Sequence, residues 1–281
     1  MWSRAGLVGK LSAILAYWAF NVFTRKPMVC RAEGNDLLTL ATGTHSDSGT
    51  SLLLVSPRYE GVTASWFSPD FWKGRAKPVS SGGRGGAWFV DMEPPGMVLR
   101  HYRRGGMMAR FAEKAYLFTG FEQTRSVAEF RLLGQLRSLG LPVPEAVAAI
   151  AWKYRLFWYR AAILVERIPN SVTFSDSDRL SDESLWAQLG QVIRRFHDNG
   201  LNHVDLNCDN ILVTGDQLYL IDFDRCKLVP ESENETDSAW KQRNLERLQR
   251  SVRKRCPGLS PSQRENLWQH LLQAYHRQPS H

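Results

Sequence analysis

Between His203 and Asp224 the chain reads HVDLNCDNILVTGDQLYLIDFD, which sets Asp205 two residues after His203, Asn210 five after Asp205, and Asp222 and Asp224 twelve and fourteen after Asn210. Carboxylates and an amide in this order suit metal-assisted phosphoryl transfer. That chemistry needs one carboxylate to orient and deprotonate an attacking hydroxyl, and hard oxygen ligands to hold Mg2+ beside nucleotide phosphates. Asp205 fits the first role, and Asn210 with Asp222 the second. The apolar runs Ile211 to Val213 and Leu218 to Ile221 flank a turn at Thr214 to Gln217 and predict a hairpin that folds Asp222 back toward Asn210. Taken singly, each of these residues is equally explained by a surface loop that caps helices or makes turns.

The ordered set HxDxxxxN, strand, turn, strand, DFD is not explained that way. It is the catalytic-loop and metal-binding pattern of kinases with its local context, and the elements upstream can be asked whether they would complete such a site. In SSGGRGGAWFV (residues 80 to 90), Gly82, Gly83, Gly85 and Gly86 precede a predicted strand at Ala87 to Val90, and a second strand is predicted at Met97 to Tyr102. A glycine-rich hairpin can bring backbone N–H groups close to phosphates. Glycine-rich turns with no such role are common, and no GK[ST] follows here. Period-two alternation puts Val98, Arg100 and Tyr102 on one face, so Arg100 stands where the kinase strand carries the lysine that pairs with the phosphates. Arginine can hold phosphate bidentately, with different geometry; a solvent-facing strand arginine is the alternative. Arg103 and Arg104 extend the strand into a basic turn that could meet an anionic substrate or a membrane phosphate, or be solvated charge.

Gln123 to Leu139 is predicted as a helix from Val127, Phe130, Leu133 and Leu136, closed by Gly140. Its Glu129 is either the acidic partner of Arg100 or a surface residue. LPVPEAVAA (141 to 149) leads extended into the next strand, and Ala161 to Val165 is a buried strand followed by a connector where a kinase hinge would fall. Ser184 to Asn199 is a helix with an apolar stripe of Leu185, Leu189, Val192, Ile193 and Phe196, on which His197 is structural rather than catalytic. Beyond Asp224 comes a basic helix in which Lys241, Arg243, Arg247, Arg250, Arg253, Lys254 and Arg255 surround Leu245, Leu248 and Val252. A solvated face is the plain reading of it, and a surface for anionic lipid the sharper one.

The chain has 281 residues, 43% hydrophobic and 23% charged, which indicates a globular protein with a sizeable core. A net charge of +8 favours anionic partners, although no recognised nucleic-acid motif is present. Cys30, Cys208, Cys226 and Cys256 form no CxxC pair and no zinc spacing, and Cys208 is a small filler within the loop. Leu7 to Phe23 is apolar but interrupted by Lys10, Ser12 and Asn21, too broken for a spanning helix. A membrane-contacting segment, a helix packed on the domain and a simple extension all remain open for it. Thr39 to Thr50 (TLATGTHSDSGT) is small and polar and is expected to be a linker. The resulting division is an N-terminal extension at 1–60, a small lobe at 61–168 and a large lobe at 169–281.

GRGGAWF, VLRHYRRGG, TRSVAEFRLL, GLPVPEAVAA, IRRFHDNG, HVDLNCDNIL and LIDFDR together make the chain resemble the lipopolysaccharide kinases with a protein-kinase-like fold, over about Ser81 to Arg225. The resemblance implies an α+β, two-lobed fold: a small antiparallel-sheet lobe with one main helix, then a mostly helical lobe. It implies transfer of phosphate from ATP, with Mg2+, to the 4-hydroxyl of the 3-deoxy-D-manno-octulosonic acid (Kdo) sugar of Kdo-lipid IVA, by an enzyme peripheral to the cytoplasmic face of a bacterial inner membrane. It implies Asp205 as base, Asn210 and Asp222 as metal ligands, Arg100 with Glu129 as the phosphate-positioning pair, and Gly83, Gly85 and Gly86 at the nucleotide. No protein partner is implied. Asp224 stands where the general DFG motif has glycine, which leaves its role open. No APE signature follows, which suits a small-molecule or glycolipid acceptor. The competing readings are a kinase of another sugar, an aminoglycoside or a protein hydroxyl, and a nucleotide-binding scaffold without activity.

Overall fold

The computed structural model describes residues 29–31, 39–45, 49–79, 86–93, 95–102, 116–154, 158–215, 217–230 and 239–277. The apolar stretch Leu7 to Phe23, the turn glycines Gly83 and Gly85, and the arginines Arg103 and Arg104 lie outside the described residues.

The small lobe is one antiparallel sheet, with nine strands among the described residues: β1 (Val29–Arg31), β2 (Thr39–His45), β3 (Gly49–Val55), β4 (Ala76–Pro78), β5 (Ala87–Val90), β6 (Met97–His101), β7 (Tyr116–Leu117), β8 (Ala146–Tyr154) and β9 (Trp158–Glu166). Their order is β1-β2-β3-β8-β9-β6-β5-β4, with β7 against β9. The central strands are apolar on both faces. Ala149, Ala151, Ala161 and Ile163 point to one core and Ala148, Ile150, Ala162 and Leu164 to another, as alternation along a doubly covered sheet requires. The second core is closed by two 3-10 turns, Ala64–Phe67 and Pro69–Trp72, which bury Phe67 and Trp72. On the first face lies helix α1 (Arg125–Ser138), which buries Val127, Phe130, Leu133 and Leu136 at helical spacing. Ser126 pins it to the sheet by donating from its hydroxyl to the Ile150 carbonyl at 2.9 Å.

The expected linker at Thr39 to Thr50 is instead β2 and the start of β3. Its threonines are β-branched and suit a pleated strand, and the apolar SLLLV that follows pairs on one side with β2 and on the other with β8. Pairing outweighs local polarity here, and the sheet of the small lobe begins upstream of residue 61.

The large lobe is built on helices α2 (Glu183–Asp198), α3 (Ala239–Arg255) and α4 (Pro261–His276). It carries two small sheets, β10 (Val172–Thr173) with β12 (Ile211–Thr214) and β13 (Gln217–Leu220), and β11 (Leu201–Asn202) with β14 (Lys227–Leu228). Asp182 caps α2 by accepting from the Ser184 amide at 2.9 Å, and the stripe Leu185, Leu189, Ile193 and Phe196 is buried beneath the loop that follows. His197 is buried against α4, its Nδ1 2.8 Å from the Tyr275 hydroxyl. Burial pushes its pKa down to about 3, so it packs as a neutral ring, as its place on the stripe predicts. The two lobes make the α+β arrangement read from the sequence.

Where α2 crosses α4 the contact is backbone to backbone. A Cβ on Gly190 would stand 2.2 Å from the Leu271 carbonyl oxygen and 3.0 Å from the Tyr275 amide nitrogen. Neither atom is the tip of a flexible side chain, so Gly190→Ala must push the helices apart. We expect a loss of at least about 1–3 kcal/mol, the ordinary cost of overpacking, read as a lowered urea midpoint; an unchanged midpoint would show that the crossing can slide.

Candidate active site

The loop between β11 and β12 is held by its own side chains. The Asp205 carbonyl accepts from the amides of Asn207 and Asn210, each at 2.9 Å. Asn207 turns its Oδ1 onto the backbone amides of Asp209 and Asn210 at 2.9 and 3.2 Å, an Asx cap on the short 3-10 turn Cys208–Asn210. With its Nδ2 committed to Asp205, Asn210 keeps its amide oxygen for another partner. The Ile221 amide donates to the Asn210 carbonyl at 3.0 Å, and so the hairpin does bring Asp222 beside Asn210. Asp222 has φ 62, a left-handed backbone that Asp tolerates better than most residues. Cys208 is fully buried in the core, consistent with a filler.

His203 holds this loop to the DFD segment. Its ring Nε2 lies 3.1 Å from the Ile221 carbonyl, to which it donates. Burial pushes its pKa below the ordinary histidine value, and the neutral ring acts as a strut.

Arg100 on β6 meets Glu129 on α1 within the small lobe and reaches across the cleft to Asp222. The guanidinium pairs with Glu129 through Nη2 and with Asp222 through Nη1. Glu129 also accepts from the Tyr102 hydroxyl and, at 3.2 Å, from the Phe223 amide. Glu129 is therefore a hub joining the β6 strand, α1 and the DFD turn. Burial pushes its carboxyl upward while Arg100 pulls it back. Burial by itself would depress Arg100, but Glu129 and Asp222 hold it firmly protonated. A lysine ammonium has no fork with which to span two carboxylates on opposite lobes, which gives arginine at this position a physical reason.

Asp224 answers to a different cation. Arg125, the first residue of α1, donates from Nε to Asp224 Oδ1 at 2.5 Å and pairs through Nη2 with the other oxygen. Its guanidinium also lies over the rings of Tyr102 and Tyr116, at 5.4 and 4.8 Å from their centroids. Asp224 thus latches the DFD turn to the start of α1. Arg125 was not singled out in the sequence, yet a cation opening a helix opposes the macrodipole and implies an anionic partner.

The largest departure from expectation concerns α3. Rather than presenting a merely solvated basic face, it braces the catalytic loop residue by residue. Asn244 accepts the His203 amide at 3.0 Å. Arg247 donates from Nε to Asp205 Oδ1 at 2.8 Å, and from Nη2 to the same oxygen. Ser251 accepts the Cys208 amide at 3.1 Å. Arg255 donates to Asp209 at 2.9 Å. These four recur every three or four residues on one face of the helix, in the order of the loop they meet. Leu245, Leu248 and Val252 face the core as their spacing predicts.

Of the glycines assigned to the nucleotide, Gly86 is described; its carbonyl accepts from the His101 amide at 2.7 Å. The segment that contains the others joins β4 to β5, which are paired from Ala76↔Val90 to Pro78↔Trp88. Among the described residues no group of three or more His, Cys, Asp or Glu side chains could hold a metal by itself. The Asn210 amide oxygen and the Asp222 carboxylate are a hard-oxygen pair of the sort that shares a divalent ion with substrate phosphates. The cleft thus sets a carboxylate, a hard-oxygen pair and a fixed cation in one place, as transfer of a phosphoryl group to a hydroxyl requires.

Residues 69–275 match the model of the lipopolysaccharide kinase (Kdo/WaaP) family. The chain is 44% identical over 225 residues to a 3-deoxy-D-manno-octulosonic acid kinase of Xylella fastidiosa (strain M12), covering 79% of this chain and 87% of that one. A protein of the same name from Xanthomonas oryzae pv. oryzae (strain PXO99A) is 44% identical over 221 residues, 78% of this chain and 86% of that one. Among solved structures, the amicoumacin kinase hAmiN in complex with AMP-PNP, Ca2+ and Ami is 13% identical, with a TM-score of 0.51 and 72% of each chain covered. At that identity the likeness concerns the fold, which is protein-kinase-like. The chain belongs to the lipopolysaccharide kinase (Kdo/WaaP) family, ATP-dependent phosphotransferases that act on a hydroxyl.

Proposed function

We propose that the acceptor is the 4-hydroxyl of the Kdo sugar of Kdo-lipid IVA, and that the reaction uses ATP with Mg2+. The observation that carries the reading is the 44% identity to 3-deoxy-D-manno-octulosonic acid kinases over 79% of the chain, a span that takes in both lobes and the loop around Asp205. Asp205 takes the proton of the hydroxyl. The hydroxyl oxygen bonds to the γ-phosphorus as the bond from that phosphorus to the β,γ-bridging oxygen breaks, and the electron pair leaves with ADP. Asn210 and Asp222 would hold Mg2+, which when bound offsets phosphate charge. Arg100, anchored by Glu129, offers the phosphates a cation that cannot lose its proton, with Gly83, Gly85 and Gly86 at the nucleotide.

The acceptor lies in a membrane, and the reading places the enzyme at the cytoplasmic face of the inner membrane as a peripheral protein. No helix among the described residues is long and apolar enough to cross a bilayer. Contact with anionic lipid would fall to the exposed cations of α3, and the sequence adds Arg103 and Arg104 as candidates for an anionic substrate or a membrane phosphate. Purified protein with labelled ATP and Mg2+ should label Kdo-lipid IVA and leave aminoglycosides and protein acceptors unlabelled; chelation should abolish transfer and Mg2+ restore it. Label found only in protein or in an aminoglycoside would overturn the acceptor.

A further inference from the structure

Arg247 belongs to two patterns at once. It is a rung of the brace between α3 and the catalytic loop, and it also lies in a row with Arg243, Arg250 and Lys254, spaced four, three and four residues along the helix, which places all four on one exposed stripe. Among the described residues no carboxylate pairs with Arg243, Arg250 or Lys254. Within this stripe, Arg247 uses Nε and one Nη2 hydrogen on Asp205 Oδ1. A guanidinium has five N–H donors, so three remain on the side away from the base. Asp205 is likewise used on one side, since Asn207 also donates to Oδ1, at 3.2 Å, and Oδ2 accepts from none of the described residues. Both side chains are about half exposed, 45% for Arg247 and 44% for Asp205. The open oxygen of Asp205 and the open donors of Arg247 thus belong to side chains already in contact with each other.

We propose that Arg247 binds the carboxylate of the acceptor sugar while remaining on Asp205, so that one guanidinium fixes the distance between the acid's carboxylate and the base that deprotonates its hydroxyl. The proposal rests on the reading of the acceptor as an octulosonic acid, whose carboxylate lies on the same sugar as the reacting hydroxyl. Planar, bidentate recognition of carboxylate is what arginine does best, and the cationic row on either side discourages loss of the anion to water. Arg247 is on this view a positioning and specificity residue, and the base is Asp205.

The test compares two forms of the purified glycolipid, the free acid and its methyl ester, with the full-length protein. Wild type should use the acid with a kcat/KM about 10- to 100-fold above the ester, the range of a hydrogen bond to a charged group. Arg247→Gln should lose this preference, mainly through a raised KM for the acid, and Arg247→Lys should restore part of it. A residue that only orients Asp205 would behave otherwise: its loss would lower turnover of acid and ester alike and leave their ratio unchanged, which overturns the proposal. Equal use of acid and ester by wild type also overturns the role of Arg247, without any variant being made, while leaving the acceptor reading intact. Transfer to neither form overturns the acceptor reading and this proposal with it.

Discussion

Asp205→Asn is expected to lower phosphoryl transfer by about 10^2- to 10^4-fold, the ordinary contribution of a positioned general base, while nucleotide affinity stays near that of wild type. The substitution keeps the side-chain shape and an oxygen able to accept from Arg247, and removes only the ability to take a proton. Little else depends on the charge. The loop is pinned through the Asp205 carbonyl rather than its carboxylate, and the carboxylate is 44% exposed, so the fold should not notice the change. On the proposed reading the donor phosphates fall to Arg100 and to the metal pair Asn210 and Asp222, none of which depends on the Asp205 carboxylate. Single-turnover transfer and equilibrium nucleotide binding, measured on the same preparation, separate the two effects. A variant that transfers at the wild-type rate would remove Asp205 from the chemistry, and one that no longer binds nucleotide would give it another role.

The second large effect is expected at Glu129. Glu129→Ala strands three donors together: the Arg100 guanidinium, the Tyr102 hydroxyl and the Phe223 amide. Breaking one partner out of a buried ion pair costs about 3–5 kcal/mol; Arg100 keeps Asp222 as its second carboxylate, so the loss is expected toward the lower end of that range. Unfolding in urea should show that loss, and the KM for ATP should rise because Arg100 is then free to rest on Asp222 alone. Glu129→Gln is the informative companion. It preserves shape and can still accept from Phe223, so it should recover part of the stability while the use of ATP remains impaired. Wild-type stability with wild-type ATP use in Glu129→Ala would show that the hub is incidental.

The parts of this molecule that were legible in the sequence are those where one local rule is strong. HxDxxxxN and DFD are close together in the chain, and the hairpin between them is short and alternates cleanly, so the meeting of Asn210 and Asp222 follows from strand period alone. Arg100 and Glu129 could be matched only as candidates, since nothing local distinguishes a surface glutamate from a hub; burial decides that, and burial is a property of the assembled lobes. Thr39 to Thr50 misled because polarity there is outweighed by pairing with SLLLV. The bracing by α3 was missed for a related reason. Its buried Leu stripe dominates the helical pattern, and the polar residues beside it look solvated until the loop they meet is in place. Asn244, Arg247, Ser251 and Arg255 do keep helical spacing, but they name no partner 40 residues or more upstream.

The brace also bears on the order in which the molecule is made. A nascent chain that has grown as far as Asp224 already contains HxDxxxxN and DFD in full, but none of the four side chains that α3 lays along the loop. Until Arg255 has left the ribosome and the helix has docked, the loop has its internal bonds and its contacts with α2 and the DFD turn but not the brace of α3, and Asp205 lacks the cation beside it. Competence is in that sense conferred late in synthesis, by a helix that carries no recognisable motif.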